Sequence, residues 1–245
     1  MGLFRLRSIA RLACAGLLLA PLLSRAERAA DDRLVSLCEP AKLVTLSKRG
    51  AIPRVQKIVY WLEMSRREGK SPGELLKKTM IRIGWDDERG KLTAAMLLRN
   101  LDIATKLGCT DAEGMEEMRR GHSPTVKSGP YAGDQLSVDH IVPVSKCPQL
   151  DNVLANLELM PLKLNIRKSA SIGQRQRDLL IKFESAGLLR RDPMRPPRSM
   201  SPTSGVSAWL GMASPTNGLH PTADIHRASW PIFLQAAPRL AFLGS

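Results

Sequence analysis

Hydrophobic positions recur at helical spacing through the first half of the chain. Between Pro53 and Arg67, Val55, Ile58, Val59, Leu62 and Met64 fall at helical spacings, with Arg54, Lys57, Arg66 and Arg67 largely on the other side. This predicts an amphipathic helix. Ser71-Pro72-Gly73-Glu74 has the form of a capping box with proline at the first helical position, and the helix it starts runs through Leu75, Leu76, Met80 and Ile83. A further helix is expected from about Asp87 to Leu107, ended by Gly108. Thr110-Asp111-Ala112-Glu113 repeats the capping signature for a short helix reaching Arg120.

The texture changes at Gly121. Pro124, Gly129, Pro130 and Gly133 mark a loop, after which Leu136 to Pro143 alternates and carries branched residues, as a strand does. A second strand is expected over Leu154 to Met160, stopped by Pro161. Leu162 to Lys168 then has helical character, and a last helix is expected from about Ile172 to Ala186, ended by Gly187. Residues 193–245 hold eight of the seventeen prolines, no lysine and only Asp224 as an acid. Such a composition buries little, so this stretch is expected to be loosely attached, and Trp209, Trp230 and Phe233 within it read as exposed. The fold class expected is α+β and mainly helical, and no internal repeat is visible.

Composition narrows the class. The 245 residues are 43% hydrophobic and only 4% aromatic, with four cysteines, which excludes collagen, coiled coil, disulfide-dense miniprotein and polytopic membrane protein. Residues 1–26 have the form of a secretory signal: Arg5, Arg7 and Arg11, an apolar run from Leu12 to Leu23, then Ser24-Arg25-Ala26 as a small-x-small cleavage site. The run is too short to span a bilayer comfortably and contains Pro21, so export without stable membrane insertion is expected, to the periplasm or beyond. Arg11 at minus three from Cys14 does not fit a lipoprotein site. Cys38, Cys109 and Cys147 then remain, and an oxidising compartment would permit one disulfide among them. The net charge of +14 falls only to +10 without the signal, so the basic bias belongs to the working protein and suits a polyanionic partner.

Three blocks carry the chemistry: Val138-Asp139-His140-Ile141-Val142-Pro143, Asn156-Leu157-Glu158-Leu159-Met160-Pro161 and Asn165-Ile166-Arg167-Lys168. A carboxylate beside a histidine at a strand end, an asparagine opening the next strand and an asparagine in the following helix would converge on one spot. In this order the blocks resemble the HNH endonuclease family of ββα-metal nucleases, in the variant whose last metal-binding position is asparagine. The resemblance covers mainly residues 119–186. It implies a ββα-metal core over about 119–190, preceded by a helical part over 27–118 and followed by the tail at 191–245.

The resemblance also implies roles. Imidazole is the side chain that exchanges protons near neutrality, so His140 would be the general base that activates water for phosphodiester hydrolysis. Asp139 and Asn165 would each give an oxygen to one divalent ion, and a set of two hard oxygens suits Mg²⁺ or Mn²⁺. Asn156 would pin the loop between the strands and hold His140 in place, although asparagine also makes turns and Asn152 lies nearby. Lys168, on the same helical face as Asn165, would reach a phosphate oxygen, or else serve as a solvated helix charge. His122 reads as a surface loop histidine.

Residues 119–198 carry +7, and Arg119, Arg120, Lys127, Arg167, Arg175 and Arg177 are candidates for a phosphate track. DNA is the expected substrate, with RNA open because the site recognises a phosphate. The rival reading is a basic nucleic-acid-binding protein of the cell envelope without catalytic activity. Protein partners are not indicated by the sequence.

Overall fold

The computed structural model describes residues 30–168 and 170–189; the expected leader at 1–26 and the proline-rich stretch at 191–245 lie outside the described residues. Helix α1 occupies 30–38 and α2 Pro40–Leu43. There follow α3 (Ile52–Arg67), α4 (Pro72–Arg82), α5 (Glu88–Lys106) and α6 (Ala112–Arg120). Strand β1 (Leu136–His140) pairs antiparallel with β2 (Leu157–Pro161), and α7 (Leu162–Lys168) and α8 (Gln174–Ser185) are the last helices among the described residues. The α+β, mainly helical expectation holds, with a single two-stranded sheet among the described residues. No helix among them is long and apolar enough to cross a membrane.

The local signals act where the side chains can reach. Ser71 Oγ accepts the Glu74 N–H at 3.3 Å and starts α4. The cap of α6 is Asp111 rather than Thr110, because its carboxylate accepts the Gly114 N–H at 2.7 Å. Gly121 ends that helix with φ 86°, a left-handed conformation that suits glycine. The second strand starts later than expected: 154–156 is a short 3₁₀ turn that buries Leu154, Ala155 and Asn156, and pairing begins only at Leu157. Pro161 ends the strand from within it. Strand β1 stops at His140, and the chain turns away over Ile141 to Pro143.

One core joins the helices to the sheet. Leu34, Val55, Ile58, Val59, Leu62, Leu76, Leu97 and Met118 pack with Leu136 and Val138 of β1 and Leu157 and Leu159 of β2. The inner face of the sheet is therefore closed by the preceding helices. A smaller core of Ile141, Val142, Cys147, Leu150, Ala155, Leu179, Leu180 and Phe183 lies under α8 and fixes the segment that connects the strands. Asn100, buried in α5, substitutes for a missing third strand: its amide nitrogen donates to Leu157 O at 2.9 Å and its oxygen accepts the Leu159 N–H at 2.8 Å. Cys38, Cys109 and Cys147 are all buried free thiols, so the permitted disulfide is not formed. Burial pushes the Cys38 and Cys109 thiols up to about 12.

Candidate active site

Alternation along β1 sorts the site. Leu136, Val138 and His140 are buried, while Ser137 and Asp139 are half-buried on the opposite face, beneath α7. Helix α7 places Asn165 and Lys168 one turn apart above that face. Asn165 Nδ2 donates to Ser137 Oγ at 3.2 Å, which in turn donates to Met160 O at 2.9 Å. Lys168 Nζ forms an ion pair with Asp139 Oδ2 and donates to the backbone oxygen of His140 at 2.6 Å. Asp139, Asn165, Lys168 and the backbone oxygen of His140 are thus brought together across 29 positions of chain, while the His140 imidazole lies on the strand's other face.

The imidazole of His140 is only 7% exposed, and its Nε2 lies 2.8 Å from Asp151 O and 3.1 Å from Asp151 Oδ1. A carbonyl oxygen only accepts, so Nε2 carries the proton. In the neutral ring the lone pair is then on Nδ1. Asn156 holds the turn beside it with all its side-chain groups: Oδ1 accepts the Val142 N–H at 2.8 Å, and Nδ2 donates to Val142 O at 3.0 Å and Leu150 O at 3.2 Å. Its neighbour Asn152 does different work, binding the loop before α3 rather than the strand connection.

A hard cation fits this donor set. Asp139 offers a carboxylate already facing a positive charge, and the amide oxygen of Asn165 accepts no hydrogen bond among the described residues. No group of three or more His, Cys, Asp or Glu lies together among the described residues.

Directly opposite Asp139 in the sheet register stands Glu158, which the sequence did not single out. Arg175 binds it through two nitrogens, at 2.5 and 2.9 Å, and Arg99 Nε lies 2.6 Å away. Burial alone would raise its carboxyl; the hydrogen bonds and charge of the two arginines outweigh burial and hold it below the ordinary carboxylate range. Arg175 is therefore committed to a structural pair. The other cations proposed for a phosphate track divide into two groups. Arg119 and Arg120 pair with Glu116, and Lys127 with Glu113, all on or beside α6. Arg177 bonds Gln174 and Ile172 O, whereas Arg167 on α7 is exposed and makes no ion pair or hydrogen bond among the described residues. His122 is on the surface against Glu117.

Comparison of the chain with family models, with curated proteins and with solved structures finds no match in any of the three. The functional reading rests on the residues themselves. Asp151, Glu158 and Asn100 were missed in the sequence because their partners lie from 11 to 102 positions away, and no local spacing announces them.

Proposed function

We propose that this chain is a metal-dependent endonuclease of the HNH type that hydrolyses phosphodiester bonds of DNA. The observation that carries the reading is the position of Lys168 Nζ, a cation held by the Asp139 carboxylate and the backbone oxygen of the residue whose imidazole is the base. Positive charge is held on the Asp139 face at the end of β1, one residue from an imidazole on the strand's other face, and hydrolysis of a phosphodiester needs both a cation and a proton acceptor.

His140 takes a proton from the attacking water at Nδ1. Its Nε2–H, donated to Asp151 O, holds the ring in the required tautomer and shares the charge that forms on it. Asn156 keeps the connection rigid, so that the base does not move with the loop. Mg²⁺ or Mn²⁺, held by Asp139 and Asn165, would supply the positive charge that offsets charge building on the scissile phosphate. Lys168 holds Asp139 in the resting protein and turns to a phosphate oxygen in the complex. Arg167, exposed on the same helix, contacts the backbone of the nucleic acid and gives affinity without base preference.

Plasmid nicking by the protein beginning at Glu27, with Mg²⁺, Mn²⁺ or EDTA, tests the reading. Metal-dependent cutting is expected, reduced about 100-fold or more in His140→Ala. Intact plasmid in every lane with folded protein would overturn it.

A further inference from the structure

The segment that connects the strands grips the helical region at a single loop. Asn152 Nδ2 donates to Leu46 O at 3.3 Å and Ser47 O at 3.1 Å, and its Oδ1 accepts the Ala51 N–H at 3.1 Å. The carboxylate of Asp151 accepts the Arg49 N–H at 3.1 and 3.3 Å while its Oδ1 also faces His140 Nε2 at 3.1 Å. Two adjacent side chains thus bind four backbone groups of residues 46–51, about 100 positions earlier in the chain. Arg49 has φ 61°, alone among the non-glycine residues described. A non-glycine residue pays for that conformation, and here it aims a backbone N–H at the carboxylate that touches the imidazole.

We propose that Asp151 is the positioning residue of His140, and that through it the 46–51 loop makes the helical region part of the site. Its carboxylate, fixed by the Arg49 N–H, lies 3.1 Å from Nε2 beside the Asp151 backbone oxygen that takes the ring proton at 2.8 Å, so the side chain holds both acceptors against the ring and limits its rotation. That His140 serves as a base rests on the reading given above, whereas the fixing of its ring does not. The side chain of Arg49 is not required, only its N–H in the left-handed conformation, which glycine supplies without strain.

The test compares Asp151→Ala, Asp151→Asn and Arg49→Gly with the unsubstituted protein in two measurements. The first is the proton resonance of the His140 imidazole N–H, assigned by its absence in His140→Ala. The second is kcat and KM for cutting. In Asp151→Ala the resonance is expected to broaden into solvent exchange, and kcat to fall about tenfold to a hundredfold with KM within about twofold. Asp151→Asn, which keeps an acceptor oxygen and serves if the alanine variant does not fold, retains the resonance and most of kcat. Arg49→Gly keeps both and folds at least as stably. An unchanged resonance in Asp151→Ala overturns the proposal, as does a large loss of the resonance in Arg49→Gly. If no protein cuts but the resonance still responds as expected, the positioning stands and the nuclease reading fails.

Discussion

Most ion pairs of the helical region join near neighbours, Arg82–Asp32 being a long-range exception, while those around the sheet reach across the chain. Glu63 binds Arg66 and Arg67, Glu88 binds Lys91, Asp102 binds Lys106, and Glu116 binds Arg119 and Arg120, all within one helical turn. Around the strands, Lys168 reaches Asp139 across 29 positions, Arg99 reaches Glu158 across 59, and Asp151 reaches Arg49 across 102. Local pairs trim a helix surface and contribute little each. Long-range pairs carry loop-closure entropy and desolvation, and they gather where a specific geometry is being held. Local pairs thus lie mostly on the exterior of the helices, while the buried carboxylate of Glu158 is held by long-range partners.

The sharpest break in that pattern is Asn156→Ala. It strips three buried hydrogen bonds from the strand connection, leaving Val142 and Leu150 groups unpaired. A loss of about 3 kcal/mol or more is expected in denaturant unfolding, together with loss of cutting.

Glu158→Gln comes next, at about 2 kcal/mol near neutral pH, the order of charged hydrogen bonds to two arginines. Its sign with pH is set by the lowered carboxyl. The unfolded state takes up the proton first as pH falls, so the contribution of Glu158 is complete above the ordinary carboxylate range and is lost on acidification through its depressed value. The stability gap between the unsubstituted protein and Glu158→Gln should therefore be widest at neutral pH and narrow towards pH 3, as read by urea unfolding across that range. A gap that widens on acidification would contradict the pairing.

Much of the fold was legible. The period over Pro53–Arg67, the cap at Ser71 and the alternation at Leu136–His140 are local patterns, and local geometry obeyed them; the cap of α6 fell one residue later than its signature, at Asp111. Residues 30–38 escaped because Leu34, Val35, Leu37 and Cys38 form an apolar cluster too short to show a period. The turn at 154–156 read as strand because burial in a 3₁₀ turn and burial in a strand leave the same apolar run. The candidate residues Asp139, His140, Asn156, Asn165 and Lys168 were named from sequence, and the fold assembles them around the end of β1. The network that holds them, through Asp151, Asn100 and Glu158, depends on distant backbone groups and left no mark in the spacing.

The thiols give a smaller test. With Cys38 and Cys109 raised to about 12 by burial and Cys147 also raised, the native protein starting at Glu27 should react negligibly with a thiol reagent at pH 8. After unfolding without reductant, all three should react; a single reactive thiol would mean a disulfide.

The most direct measurement sets one long-range charge against one local charge in the same assay. Metal-dependent nicking rates are compared for Asp139→Asn and Glu116→Gln at equal folded concentration. Asp139 is paired with Lys168 and proposed as a ligand of the divalent ion, so its variant should lose about 100-fold or more. Glu116→Gln, which alters two surface pairs on α6, with Arg119 and Arg120, should cut within about twofold of the unsubstituted protein. Equal rates for the two variants would contradict the assignment of the site.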